Sequence, residues 1–426
     1  MNKVLQEGKG RKIEVDYKNR LVYKTGSYLK LLKEWNNLKK LYTLNINVPK
    51  PIKFDRKSLL KAQIVMSFIL GKTLEELLPK LNYQEKLKIA YELGKIFKDF
   101  NKHNIWHEDI HAGNIIITSE KKIFLVDLYK IKKASNLKTL QINQLSVLYG
   151  AFIKEINNKI ILSFLKGYLG NYKEAKEFII KYGKEIKEKG IKNLVSILKN
   201  EISHLNNPRR FKEVSLENWK GYLALRTNNS IYEDQILTWL NTYQKENKIL
   251  GDIIKNGRSA LVVRYKDVCL KLFKKRKHKW RGLKDLILYN LNYTRARRSF
   301  INAYLFYFLC GDTPPPLGFF ENKNGESLFV SVFVKNSKNF LKFIENLSPK
   351  EKEFYINMLL NWFKKILDFN FISKDAAFKN ILIDSENNFW LVDTFDIIYT
   401  SNSDKKEKSF NRLLKDVRKF GIFYEK

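Results

Sequence analysis

An internal repeat constrains this 426-residue chain more than any other feature of its sequence. An aspartate is followed five residues later by an asparagine and thirteen residues after that by a second aspartate, and this pattern occurs twice. The two sets are Asp109, Asn114 and Asp127, and Asp375, Asn380 and Asp393. Their offset is constant, because 375 − 109, 380 − 114 and 393 − 127 all give 266. Proline-containing stretches at 48–51 and 313–316 are related by an offset of 265, so the repeat spans a whole domain.

The length of the chain also favours two domains, because a single hydrophobic core stops growing at about 250–300 residues. A polar stretch with turn-forming residues at 227–230 predicts the boundary. We therefore expect a first domain at 1–228, a helical connector at 229–247 and a second domain at 248–426. About 100 residues separate Asp127 from this boundary, whereas 33 residues follow Asp393, which predicts a minimal C-terminal lobe in the second domain.

Both copies have the same predicted order of elements: two strands, a helix, a further strand with a linker, and an amphipathic helix that leads into the motif. In the first copy these elements are 12–17, 20–24, 28–44, 62–69 and 84–102. In the second copy they are 259–265, 268–273, 291–309, 328–334 and 350–370. This order indicates the α+β fold class, with two bilobal protein-kinase-like domains in tandem.

The repeated motif has the side chains that phosphoryl transfer from ATP requires. That reaction needs Mg²⁺ on the phosphate oxygens, a cation on the triphosphate and an oriented acceptor hydroxyl. Asp109 and Asp375 are the candidate catalytic residues, which would accept or orient the hydroxyl proton. Hard oxygen ligands for Mg²⁺ come from the rest of the motif. The candidate ligands are Asn114, Asp127, Asn380 and Asp393.

Lys24 and Lys271 are the candidate phosphate-binding lysines, because each lies on the strand that precedes the first helix of its copy. Glu34, on that helix, is the candidate partner of Lys24, and Ser299 occupies the corresponding position in the second copy. A solvated strand face is the alternative for either lysine.

Backbone groups near Met66 and Phe68 are expected to hold adenine in the first copy. Gly8 and Gly10 could cover the phosphates or form a plain turn. His107, just before the catalytic aspartate, is expected to support its loop, and Ser373 takes that place in the second copy.

The chain is strongly basic, with 80 Lys and Arg against 44 Asp and Glu and a net charge of +36. Such a charge attracts polyanions: nucleic acid, an anionic membrane surface or phosphorylated substrates. Cys269 and Cys310 have no metal-ligand spacing, which favours a reducing cytoplasm. The longest apolar run, Ala303 to Cys310, is far shorter than the roughly 20 residues that span a bilayer, so we expect any membrane contact to be peripheral.

The first copy resembles the catalytic loop of aminoglycoside, choline and RIO-type kinases through His107, Asp109, His111, Gly113 and Asn114. The second copy resembles the bacterial lipopolysaccharide core kinases, which phosphorylate Kdo or heptose. That likeness lies in 271–273, 294–300, 302–303 and 311–317, and covers most of 250–395. The first domain is similar to the same family more weakly, at 33–35 and 48–51. In this family serine is a familiar variant at the position of Ser299.

The resemblance implies an ATP- and Mg²⁺-dependent enzyme that phosphorylates a sugar hydroxyl of the lipopolysaccharide inner core at the cytoplasmic face of the inner membrane. Its partners would be an anionic lipopolysaccharide or lipid-linked sugar and the membrane surface itself. The densest basic segment, 274–281, could recruit such an acceptor, or could be a solvated loop.

Two other readings remain. The chain could phosphorylate another small molecule or a protein, because these motifs do not encode the acceptor. It could also be a basic pseudokinase scaffold that binds membrane or RNA. The complete Asp–Asn–Asp sets argue against full degeneracy, and the absence of a recognisable RNA-binding motif disfavours nucleic acid.

Overall fold

The computed structural model describes residues 3–8, 10–133, 136–154, 156–275 and 293–422. The chain divides into two compact units, Met1–Leu194 and Val195–Lys426. Both units mix helices with antiparallel sheet, as the sequence predicted.

The first unit contains ten strands and six helices in its described residues. The strands are β1 (Lys3–Gly8), β2 (Arg11–Asp16), β3 (Leu21–Ser27), β4 (Pro51–Arg56), β5 (Lys61–Ser67), β6 (Gly71–Thr73), β7 (Ile105–His107), β8 (Ile115–Thr118), β9 (Ile123–Leu125) and β10 (Ile131–Lys133). The helices are α1 (Tyr28–Thr43), α2 (Leu74–Leu77), α3 (Tyr83–Lys102), α4 (Leu137–Ala151), α5 (Asn158–Leu169) and α6 (Tyr172–Ser203), and the division between the units falls within α6.

The main sheet of the first unit has the strand order β1-β2-β3-β5-β4, and all of its pairs are antiparallel. The strands that flank the motif form two smaller sheets, β6-β8-β9 and β7-β10. Helix α3 begins with a capping box between Asn82 and Glu85. Its buried Leu93, Phe97 and Phe100 follow a helical period and pack into the core of the unit.

The second unit contains the remaining strands and helices. The strands are β11 (Phe211–Ser215), β12 (Trp219–Ala224), β13 (Asp252–Asn256), β14 (Ala260–Tyr265), β15 (Val268–Phe273), β16 (Pro316–Asn322), β17 (Ser327–Val332), β18 (Lys338–Asn339), β19 (Phe371–Ser373), β20 (Ile381–Ile383), β21 (Phe389–Leu391) and β22 (Ile397–Tyr399). The helices are α7 (Ser230–Glu246), α8 (Arg295–Leu309), α9 (Phe340–Glu345), α10 (Pro349–Asp368) and α11 (Ser403–Arg418). Helix α10 begins with a capping box between Ser348 and Glu351 and has Pro349 in its first turn.

The main sheet of the second unit has the order β11-β12-β16-β17-β15-β14-β13. Five of these strands, β13-β14-β15-β17-β16, repeat the order of the main sheet in the first unit, and the β11–β12 hairpin extends it. The structure therefore corrects the boundary at 228: residues 211–224 belong to the second unit, because β12 pairs with β16 from Trp219–Asn322 to Leu223–Gly318.

Helix α7 also differs from the connector expected at 229–247. Its Ile236, Trp239 and Leu240 are fully buried in the core of the second unit. The Trp239 indole donates a hydrogen bond to the Leu250 carbonyl at 3.0 Å. The segment is helical, as expected, but it is an integral element of the second unit because burial of these side chains fixes it there.

The expected helices of both copies lie close to their predicted positions, at α1, α3, α8 and α10. Positions 291–292, the predicted start of one helix, lie outside the described residues. After Asp393 the described part of the second unit holds one short strand, β22, and one helix, α11.

Candidate active sites

Lys24 is the centre of an ion-pair cluster in the first unit. Its ammonium forms salt bridges with Glu34 from α1 and, at 2.9 Å, with Asp127, two residues after β9. The side chains of Lys24 and Glu34 are only 4% and 7% exposed. Strand, helix and motif therefore contribute one residue each to a single cluster, in which Lys24 and Glu34 are buried and Asp127 is partly exposed.

Burial and neighbouring charges set the ionisation of the two carboxylates. Burial raises the pKa of Glu34 above its ordinary value, although Lys24 acts in the opposite direction. Burial also opposes ionisation of Asp127, but Lys24 and Arg11 outweigh it and hold the pKa of that carboxyl below its ordinary value. Asp127 is therefore ionised at neutral pH, as a metal ligand must be.

Arg11 is a member of this cluster that the sequence did not reveal. Its guanidinium lies 3.3 Å from Asp127, and it opens β2 directly after Gly10, whose φ of +75° forms the turn from β1. The only signal in the sequence was this position beside the glycines. Asp127 itself has φ 58° and ψ 56°, a left-handed conformation that is uncommon for a residue other than glycine and is frequent at functional sites.

Asp109 and Asn114 are held together by the loop between β7 and β8. The Asn114 amide nitrogen donates to the Asp109 carbonyl at 3.0 Å, and the Val126 N–H donates to the Asn114 carbonyl at 2.9 Å. Because Asn114 donates through its amide nitrogen, its amide oxygen is the atom suited to a metal ion. It and the Asp127 carboxylate would supply hard oxygen ligands of the kind that Mg²⁺ prefers.

His107 supports this loop from below. The His107 Nδ1 accepts a hydrogen bond from the backbone N–H of Asp109 at 3.1 Å. The backbone N–H of His107 donates to the Gln144 side-chain oxygen at 2.8 Å. The ring is fully buried, and this burial lowers the pKa of His107 to about 4 despite the nearby Asp109 and Asp127 carboxylates. His107 is therefore neutral at physiological pH.

The second unit assembles the same motif with fewer charges. Lys271 on β15 lies 2.9 Å from Asp393, and its side chain is 19% exposed. The Asn380 amide nitrogen donates to the Asp375 carbonyl at 2.9 Å and to the Asp375 carboxylate at 3.0 Å. Ser299 stands where the first unit has Glu34; it is buried, and its hydroxyl has no hydrogen-bond partner among the described residues.

The two units also differ at the position of Arg11. Lys24 is the register partner of Ile13, and Lys271 is the register partner of Val262, so Ala260 lies where Arg11 lies in the first unit. The two candidate catalytic aspartates also form ion pairs with lysines that lie at different positions relative to the motif. Asp109 pairs with Lys130 at 3.0 Å, whereas Asp375 pairs with Lys379 at 3.3 Å.

Two further sets of predicted binding residues, those for adenine and those of the basic segment, do not belong to these clusters. Met66 lies in β5, opposite Val22, and the Phe68 N–H donates to the Arg20 carbonyl at 2.7 Å, so the structure already uses one N–H group proposed for adenine. The basic segment 274–281 lies outside the described residues except for Lys274 and Lys275, and the Lys274 ammonium contacts Asn256 at 2.6 Å.

Residues 8–168 match the model of the Lipopolysaccharide kinase (Kdo/WaaP) family. The first unit is thus similar to this family over most of its length. The match supports a kinase, and a kinase takes its phosphoryl group from ATP. The match covers the copy in which the resemblance was weaker, rather than 250–395, where it was stronger.

Three curated proteins match parts of the chain. The KEOPS complex subunit Bud32 of Pyrococcus abyssi is 32% identical over 96 residues, 22% of this chain and 42% of that protein. A probable bifunctional tRNA threonylcarbamoyladenosine biosynthesis protein of Methanocaldococcus jannaschii is 28% identical over 148 residues, 34% of this chain and 26% of that protein. A probable serine/threonine-protein kinase of Clostridium acetobutylicum is 34% identical over 80 residues, 18% and 12% of the two chains. The matches span less than half the length of each relative.

Among solved structures, the bifunctional kinase-methyltransferase WbdD aligns with a TM-score of 0.33 and 14% identity, over 39% of this chain and 43% of that chain. A higher-resolution crystal structure of WbdD aligns with a TM-score of 0.30 and 16% identity, over 35% and 36% of the two chains. In the described parts of the present chain, no helix is both long and apolar enough to cross a membrane.

Proposed function

We propose that this protein consists of two kinase-like domains in tandem and is an ATP- and Mg²⁺-dependent phosphotransferase. Its acceptor is a sugar hydroxyl of the lipopolysaccharide inner core, on Kdo or heptose. The observation that carries the proposal is the ion-pair cluster of Lys24, Glu34 and Asp127 in the unit that matches the lipopolysaccharide kinase family.

Each residue of the first site has a distinct role in this reaction. Asn114 and Asp127 would hold Mg²⁺, which would neutralise the charge that develops on the phosphate oxygens. Lys24, positioned by Glu34, binds the phosphate oxygens. Asp109 orients the acceptor hydroxyl and takes its proton as the sugar oxygen bonds to phosphorus and the bond to the ADP oxygen breaks.

The second site uses Asp375, Asn380, Asp393 and Lys271 in the same roles. It lacks a carboxylate at the place of Glu34, and its lysine is more exposed than Lys24. Without a carboxylate on the helix to fix its position, Lys271 is held less firmly than Lys24. We therefore assign the larger share of the activity to the first site.

The net charge of +36 suits an anionic, lipid-linked acceptor. A protein that acts on such an acceptor works at the cytoplasmic face of the inner membrane as a peripheral protein. An alternative acceptor is a protein side chain, which the match to a probable serine/threonine-protein kinase favours.

The test is Mg²⁺-dependent transfer of labelled phosphate from ATP to purified, dephosphorylated lipopolysaccharide core. Wild type is compared with Asp109→Ala, Asp375→Ala and the double variant, and the surface change Asp99→Ala is the matched control. We expect Asp109→Ala to remove the larger share of the transfer, the double variant to remove at least about 99%, in line with the value of a general base, and Asp99→Ala to remove none.

Two outcomes would redirect the proposal. Phosphate that enters a protein acceptor but not the core would establish the protein kinase alternative. ATP binding without transfer to any acceptor, in wild type and variants alike, would support the pseudokinase scaffold.

A further inference from the structure

Three leucines project from one corner of the first unit. Leu59 and Leu60, in the loop that joins β4 to β5, are each 80% exposed, and Leu29 at the start of α1 is 74% exposed. We call these three residues the leucine tip. Scattered exposed leucines are ordinary, but adjacent ones at a hairpin end form an apolar patch that needs a reason.

Backbone and side-chain hydrogen bonds fix the shape of the leucine tip. The Tyr28 N–H donates to the Leu60 carbonyl at 2.9 Å, which joins the start of α1 to the loop. The N–H groups of Lys57 and Ser58 both donate to the Lys61 carbonyl, at 2.9 and 3.0 Å. The Ser58 hydroxyl accepts from the N–H groups of Leu60 and Lys61 at 3.3 and 3.1 Å. The loop is thus a tied turn that holds its leucines outward.

Basic side chains surround this patch. The exposed cations of segments 28–33 and 56–61 are Lys30, Lys33, Arg56, Lys57 and Lys61. Residues 56–61 and 28–33 contain no acidic residue. The nearest carboxylate along the hairpin is Asp55, which pairs with Lys53 at 2.9 Å and lies 3.8 Å from Lys57. Arg56 also stacks on the Tyr28 ring at 4.7 Å, which anchors one cation beside the leucines.

We propose that the leucine tip inserts into an anionic lipid bilayer. Binding of this kind combines burial of apolar side chains at the headgroup boundary with attraction of Lys and Arg to anionic lipids. A protein partner fits less well, because protein interfaces are depleted in lysine. A nucleic acid would attract the cations but would leave the leucines in water.

The proposal rests on the membrane association in the proposed function, and it names the surface that performs it. Vesicle binding and phosphoryl transfer are separate measurements, so each can fail without the other. Transfer to a soluble, deacylated core oligosaccharide tests the active site, and sedimentation with vesicles tests the leucine tip.

The experiment compares sedimentation of the full chain with vesicles of phosphatidylcholine alone and of phosphatidylcholine mixed with phosphatidylglycerol. Wild type should bind the mixed vesicles, and added salt should weaken the binding. The double change Leu59→Ser, Leu60→Ser should reduce affinity at least about tenfold. Ile180→Ser is the matched control, because Ile180 on α6 is 85% exposed and lies outside the leucine tip.

A second variant, Lys57→Gln with Lys61→Gln, should reduce binding to the mixed vesicles and leave transfer to the soluble oligosaccharide unchanged. Unaltered binding of the leucine variant would overturn the proposal, as would an equal loss in Ile180→Ser. Failure of the wild-type chain to bind mixed vesicles would also refute the proposal. Self-association that is lost in the leucine variant would instead assign the leucine tip to a contact between protein molecules. Thermal unfolding checks that the variants remain folded.

Discussion

Asp127 shares its carboxylate between Lys24 and Arg11, and this sharing has a consequence for metal binding. A metal ion that binds Asp127 must compete with both cations. The side chains of Arg11 and Asp127 are both 34% exposed. Because solvent screens such a pair, the ion pair contributes little free energy to holding the Asp127 carboxylate. Arg11 is therefore the part of the cluster that a metal ion displaces most readily.

Arg11→Ala should lower the Mg²⁺ concentration needed for half-maximal ATP binding at the first site by about two- to fivefold. The measurement is binding of a fluorescent ATP analogue across a Mg²⁺ titration, in a chain whose second site carries Asp393→Ala. The reciprocal change, Ala260→Arg with the first site disabled by Asp127→Ala, should raise the requirement of the second site. An unchanged midpoint in Arg11→Ala would mean that Arg11 does not compete with the metal ion.

His107 gives the first unit a pH dependence of stability. Its pKa is about 4 in the folded chain and near 6.5 when unfolded, so the unfolded state binds more protons between these values. Stability should fall as the pH drops from 6.5 to 4, by up to the order of 3 kcal/mol. His107→Asn, whose amide oxygen can accept the same hydrogen bond from Asp109, should lose most of this slope.

Urea unfolding followed by circular dichroism at several pH values would measure the effect. The depressed pKa of Asp127 acts in a separate window, because its contribution is lost only as the pH falls below the ordinary value of 3.8. A slope between pH 6.5 and 4 that is identical in wild type and His107→Asn would exclude His107 as its source.

At the scale of single residues, the sequence predicted the motif because its residues repeat at a constant spacing, and it predicted the lysines because each lies on the strand that precedes the first helix of its copy. The structure brings Lys24, Glu34 and Asp127 together as that reading required, and their roles in catalysis stay predictions. Arg11 was missed because a single basic residue beside two glycines carries no pattern in a chain with 80 Lys and Arg. The pairing of Arg11 with Ala260 as equivalent positions depends on the strand register, which is known only from the sheet.

Helices α3 and α5 pack with almost no space between their backbones. A Cβ atom on Gly94 would lie 2.1 Å from the Phe164 carbonyl oxygen. A Cβ atom on Gly167 would lie 2.1 Å from the Tyr91 carbonyl oxygen. The two helices can therefore pack this closely only because both positions are glycine; a side chain at either would push the helices apart. This contact positions α3, which leads into the loop that carries Asp109.

Gly94→Ala should destabilise the first unit by about 1–3 kcal/mol, because overpacking outweighs the better helix propensity of alanine. Gly183→Ala on α6 is the matched control, since its Cβ would meet only Ile179 at 3.4 Å. That control should be neutral or stabilising by up to about 1 kcal/mol. Chemical unfolding measures the free energy of unfolding of both variants. Equal values would show that α3 and α5 can move apart without a loss of stability.

The helices were predictable because periodic apolar residues and caps mark them, as in α3 and α10. The hairpin β11–β12 was assigned to the wrong domain for a physical reason. Its own sequence carries ordinary strand signals, but its sheet partner β16 lies almost a hundred residues downstream. Local pattern does not encode a pairing of such separation.

At the scale of the whole chain, that pairing decides where the protein can be divided. Trp219 and Leu223 of β12 are buried in the core of the second unit, and β12 covers the edge of β16. A fragment that begins at 229 would lose these side chains and expose a strand edge flanked by apolar residues. Exposed edges of this kind promote aggregation.

We therefore expect a fragment of residues 195–426 to be soluble and to unfold cooperatively, and a fragment of 229–426 to aggregate or to unfold at a clearly lower temperature. Size-exclusion chromatography and thermal unfolding of the two fragments measure the difference. The loss of buried Trp219 alone corresponds to about 3–5 kcal/mol by analogy with large-to-small core changes, a large part of the stability of one domain. Equal behaviour of the two fragments would restore the boundary at 228, because it would mean that the sheet of the second unit is complete without β11 and β12.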